Sequence, residues 1–402
     1  NQLPVVDYES RMRQWVSGGN TGCEYLIVIP NDESFRPYAQ QLANYRTKQG
    51  ILTEVKSLNE MGCTNPSQIK DYIHNAYNNW DIPPVAVLLF GDYNTNVTLG
   101  IPAEIYEHDY SGTCISDNGY ADVNGDGLPD ICFSRLVAAN ANEAEMMVNK
   151  TINYEYIQPN MDVNTYQKPT TALGWETSKW FQICAEVIGG YWRNMGKTPV
   201  RINEIYKGTP DTIWSTRSHT SSVINYFGPN GMGYIPSSPD QLGGWTGGTG
   251  QQIVDAVNNG TFIIQHRDHG IVRGWSQPNF DINYVSQMNN TDKLTFVMSV
   301  NCQTGKFDYT EDNCLVESLM RRMHNGRGSG AVGCIAPTEV SYTPLNDIYV
   351  WGIYDFFDPD FMPDYGSYAN YDGNWLPAFG NIAGKYFLKG CSWTSNSAKD
   401  IT

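Results

Sequence analysis

The residues with the most chemical potential stand just beyond two apolar runs. Thr261–Gln265 (TFIIQ) leads into His266-Arg267-Asp268-His269-Gly270, and Leu294–Val300 (LTFVMSV) leads into Asn301-Cys302-Gln303-Thr304-Gly305. A thiol attacks as its thiolate, and a neighbouring imidazole or a helix N-terminus is what generates one near neutral pH. His269 beside Cys302 would form such a pair, with Cys302 expected just ahead of the next helical stretch, where backbone N–H groups point outward. Gly270 leaves backbone room for a substrate carbonyl. Its N–H and that of Cys302 would then serve as oxyanion donors, worth roughly 3 kcal/mol each. Taken singly, a cysteine after an apolar strand is usually a small buried hydrophobe. The His-Gly and Cys segments on consecutive strands together favour chemistry.

For the two side chains to meet, their strands must be parallel neighbours that end at one sheet edge, where open sheets gather their reactive groups. The intervening segment of about 30 residues with one helix suits a single crossover. The earlier chain has the same grammar. Cys23–Pro30, Ile51–Leu58 and Val85–Phe90 are predicted strands, with helices over Ser34–Gln49 and from Asn65 to about Trp80. A loop-rich stretch from Tyr93 to Pro129 and a helix over Glu143–Tyr156 follow. A second series has strands at Thr170–Glu176, Asn203–Tyr206, Phe262–His266, Leu294–Val300 and Ala331–Ala336. Its helices are predicted near Lys179–Asn194, Gln251–Asn258, Cys314–Met323, Ile348–Phe357 and Leu376–Leu388. The expected fold is α/β, two subdomains of mostly parallel sheet flanked by helices, divided at residues 1–165 and 166–402. Glu176, beyond the strand that begins at Thr170, is placed to orient an imidazole as the acid of a triad does, or to stabilise the start of the following helix.

Composition narrows the partners. The 402 residues carry a formal charge of −16, which argues against nucleic acid or an anionic membrane, both of which need a basic face. No run approaches the roughly 18 apolar residues of a spanning helix. The nine cysteines show no CxxC spacing, so a thiolate zinc site is not expected; four disulfides with one free thiol and a set of buried free thiols are both open. The opening Asn-Gln-Leu-Pro, without Met, is expected of a processed product, and the scarcity of Lys beside 26 Tyr leans toward an extracellular protein.

Asp122-Val123-Asn124-Gly125-Asp126-Gly127-Leu128-Pro129-Asp130 places oxygen donors at every second position. Asp122, Asn124, Asp126, the Leu128 carbonyl and Asp130 form the first part of an EF-hand-type loop, with Gly127 at the sharp turn. Calcium, completed by a ligand from elsewhere such as Asp117, is the expected ion, with a structural role; the hard oxygens disfavour zinc.

Taken together, YADVNGDGLPDICFSRL (Tyr120–Leu136), the strand with Glu176, Asp268-His269-Gly270, SVNCQTGKFDY (Ser299–Tyr309) and GAVGCIAPT (Gly330–Thr338) resemble the gingipain family of clan CD cysteine peptidases, in the same order. The resemblance implies caspase-like, Rossmann-like α/β subdomains. It implies Cys302 as nucleophile, His269 as general base and then acid, and Glu176 as the orienting acid. His266 is the rival imidazole; His269 is preferred because the family's His is followed by Gly. Relatives in that family carry calcium near the acidic loop. In gingipains an acid in the S1 pocket selects a basic side chain, and Glu339 is placed to be that acid, with Tyr342 and Trp275 as stacking walls. The expected function is a secreted or cell-surface cysteine endopeptidase that acts on protein or peptide substrates with basic P1 preference. The alternatives are a non-catalytic surface, filament or self-assembling component on the same fold, and an acyl transferase using the same dyad.

Overall fold

The computed structural model describes residues 21–108, 112–157, 163–203, 212–245, 247–311, 313–363 and 375–393. The chain divides into two units. One takes in the chain up to Tyr106 together with Ile115–Ile152, the other Glu107–Cys114 together with the chain from Asn153 onward. The change of unit falls within the helix Ala141–Ile157, ahead of the expected division at residue 165.

In the first unit β1 (Tyr25–Ile29), α1 (Arg36–Lys48), β2 (Thr53–Ser57), α2 (Pro66–Asn79), β3 (Ala86–Phe90) and β4 (Cys132–Leu136) build a parallel sheet in the order β2-β1-β3-β4. The buried runs YLIVI and AVLLF supply its centre, as strands covered on both faces require. α2 starts at the expected place. The Asn65 side chain accepts the Gln68 N–H at 3.1 Å, and Pro66 occupies a position whose N–H has no helical partner. β4 was not expected. Only its ends, Cys132 and Leu136, are buried, and polar Ser134 and Arg135 interrupt the apolar pattern of this sheet-edge strand.

α3 (Ala141–Ile157) leads to the second unit, which contains β5 (Thr170–Leu173), α4 (Trp180–Asn194), β6 (Val200–Asn203), α5 (Gly250–Asn259), β7 (Ile263–Arg267), β8 (Thr295–Val300), α6 (Leu315–Arg321), β9 (Ala331–Ile335), α7 (Leu345–Phe357) and α8 (Pro377–Gly390). The strands pair in parallel in the order β9-β8-β7-β5-β6. β6 ends where the predicted strand Asn203–Tyr206 begins; residues 204–206 lie outside the described residues.

Strand side chains alternate between two cores. Ile263, Leu173, Met298 and Val300 join the aromatic core that holds α4, α7 and α8. Ile264, Ala172 and Val297 join the core that holds α5 and α6. The expected single-helix crossover between β7 and β8 is instead three two-residue strands (Gly270–Ile271, Gly274–Trp275, Phe280–Asp281) and one turn of helix, Ile282–Val285. A small antiparallel sheet thus grows directly from the His269-Gly270 segment.

Candidate active site

β7 and β8 are adjacent, and their last paired residues are Arg267 and Val300. His269 and Cys302 each lie two residues further, so both leave the sheet at its carboxyl edge and at one level. β5 pairs Leu173 with Arg267, which brings Glu176 to the same edge. β9 pairs Ile335 with Met298, which brings the segment with Glu339 there as well. By alternation His269 follows Ile263 and Arg267, and Cys302 follows Met298 and Val300, onto the face of the aromatic core. The contacts agree. The His269 ring meets the edge of the Phe181 ring at 5.2 Å, and the Cys302 Sγ lies 3.7 Å from the Ser341 carbonyl. The two segments touch. A Cβ built on Gly270 would sit 2.7 Å from the Asn301 Cγ and 2.7 Å from the Cys302 carbonyl oxygen, so only glycine permits this approach.

The imidazoles differ sharply. His269 is exposed. His266 is fully buried on the opposite face, stacked on Trp275 at 4.0 Å and 4°. Its Nε2 faces the Gln277 carbonyl at 3.2 Å and its Nδ1 faces the Asn301 side-chain amide at 2.9 Å. A neutral ring that donates from Nε2 and accepts at Nδ1 satisfies both, and burial lowers its pKa to about 3. His266 is a structural histidine. The Asn301 amide also donates to Ser299 Oγ at 2.8 Å and its carbonyl accepts from Thr304 Oγ1 at 2.7 Å; Trp275 donates to Ser299 Oγ at 2.7 Å. This buried polar network grips the residue that precedes Cys302.

The helix expected after Cys302 is present, but it does not start directly behind the cysteine. The segment turns through Gln303 at φ +59°, and α6 begins only at Leu315, capped by Cys314. The Cys302 thiol therefore has no helix N-terminus directly behind it. The oxyanion reading is compatible with the backbone. Ser276 N–H donates to the His269 carbonyl at 3.0 Å, which makes Gly270 and Trp275 a non-hydrogen-bonded pair and leaves the Gly270 N–H out of the ladder.

Glu176 serves the helix start. Its carboxylate accepts from the Ser178 hydroxyl and, at 3.1 Å, from the Trp180 N–H, and lies 3.6 Å from the Arg217 guanidinium. Burial works to raise its pKa, but these donors outweigh it and hold the group below the usual range. No hydrogen bond joins Glu176 to His269 among the described residues. The carboxylate next to His269 is Asp268, which the sequence reading passed over. It is buried against Gly174 and accepts the Gln277 N–H at 2.6 Å, and burial pushes it up to about 7.

On the substrate side, Trp275 cannot be a stacking wall: it is buried between His266 and Phe280. Tyr342 is half-buried and stacks on His108 at 6.4 Å. Glu339 reaches the nucleophile segment, since its carbonyl accepts the Gln303 N–H at 3.2 Å, but its carboxylate is already engaged. Lys306 Nζ lies 2.5 Å from one oxygen and Gln303 Nε2 2.8 Å from the other. Burial would raise its pKa, yet the Lys306 ammonium and the Gln303 amide hold it low. A charge that the chain itself neutralises is not a vacant receptor for a basic side chain.

In the first unit the acidic loop closes on its own amides. Asp122 accepts from the N–H groups of Gly125, Asp126 and Gly127, Asp126 from Leu128, and Asp130 from Val123 and Asn124. Gly125 and Gly127 take positive φ, 78° and 86°. Donors of oxygen alone on a preformed turn match a hard cation in chemistry. No three acidic, histidine or cysteine side chains converge on a common point among the described residues. Asp117 is not a spare ligand, because the half-buried Arg135 binds both its oxygens at 2.8 and 2.9 Å.

The sequence pattern of Peptidase family C25 matches residues 19–375. The chain belongs to that family. It is 23% identical over 316 residues to Gingipain R2 of Porphyromonas gingivalis, covering 78% of this chain and 36% of that protein, and 23% identical over 339 residues to Lys-gingipain, covering 83% and 16%. It thus spans about a third or less of the length of these relatives. The crystal structure of the Arg-specific cysteine proteinase gingipain R superposes with a TM-score of 0.72 at 18% identity, over 95% of this chain and 77% of that one. A complex of gingipain pro- and mature domains gives 0.71 at 17% identity, over 94% and 76%. The α/β, caspase-like fold expected from the sequence is the fold observed. All nine cysteines are free thiols in this member of the C25 family, and no helix among the described residues is long and apolar enough to cross a membrane.

Proposed function

We propose that this C25 family member is a secreted cysteine endopeptidase in which Cys302 is the nucleophile and His269 the general base and then acid. The observation that carries the reading is the juxtaposition at the β7 and β8 ends: an exposed imidazole and an unoxidised thiol leave adjacent parallel strands on one face, with Gly270 packed against the Cys302 carbonyl. The Cys302 thiolate attacks the scissile carbonyl, the Gly270 and Cys302 N–H groups hold the oxyanion, and His269 protonates the leaving amine before water cleaves the thioester. Neither Glu339 nor Trp275 is assigned to substrate. Cys302→Ala tests the reading: hydrolysis of an unstructured protein substrate should vanish while the melting temperature is kept, and retained turnover would overturn it.

Calcium is proposed for the acidic loop, on Asp122, Asn124, Asp126, Asp130 and the Leu128 carbonyl. Its support is the alternation of hard oxygens and the preformed glycine turn. Because the carboxylates already accept backbone N–H groups, the ion competes with existing bonds and a weak site follows, with Kd on the order of 10⁻⁴ M as in extracellular modules. Calcorimetric titration of the metal-stripped protein should show one such site that raises the melting temperature; no heat and no shift at millimolar calcium would exclude it.

A further inference from the structure

The catalytic imidazole needs something to hold it, and no carboxylate does so. The His269 ring makes no side-chain hydrogen bond among the described residues. Among the described residues its one ring contact is the edge-to-face meeting with Phe181, with centroids 5.2 Å apart and planes at 72°. Phe181 lies in the first turn of α4 and is buried. The same ring carries a cation: the Arg267 guanidinium carbon lies 4.1 Å from its centroid. Arg267 is itself fixed from three directions. Its Nε and one terminal nitrogen reach the two Asp347 oxygens at 2.6 and 2.8 Å, and that nitrogen also reaches Thr343 Oγ1 at 2.7 Å. Asp347 is tied in turn by the Trp180 indole N–H at 2.7 Å. Asp347, Arg267 and Phe181 are all buried, and they come from α7, β7 and α4.

We propose that Phe181 is the positioning residue of His269, and that the Arg267–Asp347 pair fixes the ring that does the positioning. This rests on the catalytic reading above. A buried ion pair is an expensive way to fill a core, since its desolvation is only partly returned by attraction. What it supplies is direction: a planar guanidinium held at several points presents a fixed face to the ring stacked on it. The ring then limits the rotamers open to an exposed imidazole on a two-residue overhang. In this design the third element beside the cysteine and histidine is an aromatic ring backed by an ion pair, while Glu176 caps α4, the helix that bears Phe181.

The test compares wild type, Phe181→Leu, Phe181→Tyr and His269→Ala in peptide hydrolysis and in the pH profile of Cys302 alkylation by iodoacetamide. Phe181→Leu should lower kcat about tenfold to a hundredfold, the penalty of a misplaced catalytic group, with KM nearly unchanged. It should also move the alkylation profile toward that of His269→Ala, while Phe181→Tyr, which keeps the ring, restores most of the wild-type behaviour. Should the Leu variant melt early, Phe181→Met supplies the same comparison with a longer apolar chain. An active wild type whose alkylation depends on His269 but is unchanged by Phe181→Leu would overturn this inference and leave the catalytic reading standing. A wild type whose Cys302 alkylates as in His269→Ala would overturn both.

Discussion

Replacing Gly270 with alanine interrogates the approach of the two loops. The added Cβ would lie 2.7 Å from the Asn301 Cγ and 2.7 Å from the Cys302 carbonyl oxygen, where ordinary contact begins at 3.4 Å. Relief needs about 0.7 Å of movement, and neither neighbour yields easily. The Asn301 side chain is bonded to His266, Ser299 and Thr304, and the Cys302 oxygen is main chain, so its movement carries the sulfur along. Overpacking of this kind costs about 1–3 kcal/mol of stability. A displacement approaching 1 Å between nucleophile and base costs up to ~100-fold in rate. Thermal melts, kcat and KM for a fluorogenic peptide, and the pH profile of thiol alkylation should therefore show a modestly less stable protein with kcat down about tenfold to a hundredfold. Wild-type kcat with a wild-type alkylation profile in Gly270→Ala would refute the claim that this contact sets the catalytic distance.

His266 and Asp268 should make stability depend on pH in opposite senses. The His266 pKa falls from its usual 6.5 to about 3 in the fold, so its contribution is full above about 6.5 and is lost as pH falls toward 3, by up to about 5 kcal/mol. Asp268 is raised to about 7, so its contribution is full below about 4 and is lost as pH rises toward 7. Melting curves from pH 7 to 4 should fall less steeply in His266→Gln and more steeply in Asp268→Asn than in wild type; parallel curves for all three would contradict these assignments. Lys306→Met removes the resident cation from Glu339 and Asp308. Because Glu339 is engaged by the chain itself and is not assigned to substrate, turnover of peptides with Arg or Lys at P1, relative to Leu, should stay unchanged; a ratio that rises about tenfold, the value of one modest charge interaction, would place Glu339 at the substrate.

Both sheets were legible because their central strands are continuous apolar runs, and the parity of TFIIQ and LTFVMSV carries His269 and Cys302 to one face. β4 escaped notice because Ser134 and Arg135 sit mid-strand at a sheet edge. The β7–β8 connection was misjudged because Gly270, Gly274, Trp275 and Phe280 form short antiparallel pairs, which leave no periodic signature. Trp275 and Glu339 have the right chemistry for a pocket, and only packing shows the first beneath His266 and the second bound to Lys306. Arg267 and Asp268 interrupt the sequence before His269, and burial explains them: one lies against Phe181, the other is clamped against Gly174. Phe181 had no signal beyond its place at the start of an apolar helix, since its partner is 88 residues away in the chain.

The central claim is that His269 makes the Cys302 sulfur a nucleophile. Its most direct measurement is mass-spectrometric mapping of the native protein after brief exposure to a peptidyl acyloxymethyl ketone. The account predicts a single adduct on Cys302, lost or greatly slowed in His269→Ala while the fold is retained. Modification spread over other cysteines, or equal labelling of Cys302 with and without the imidazole, would contradict it.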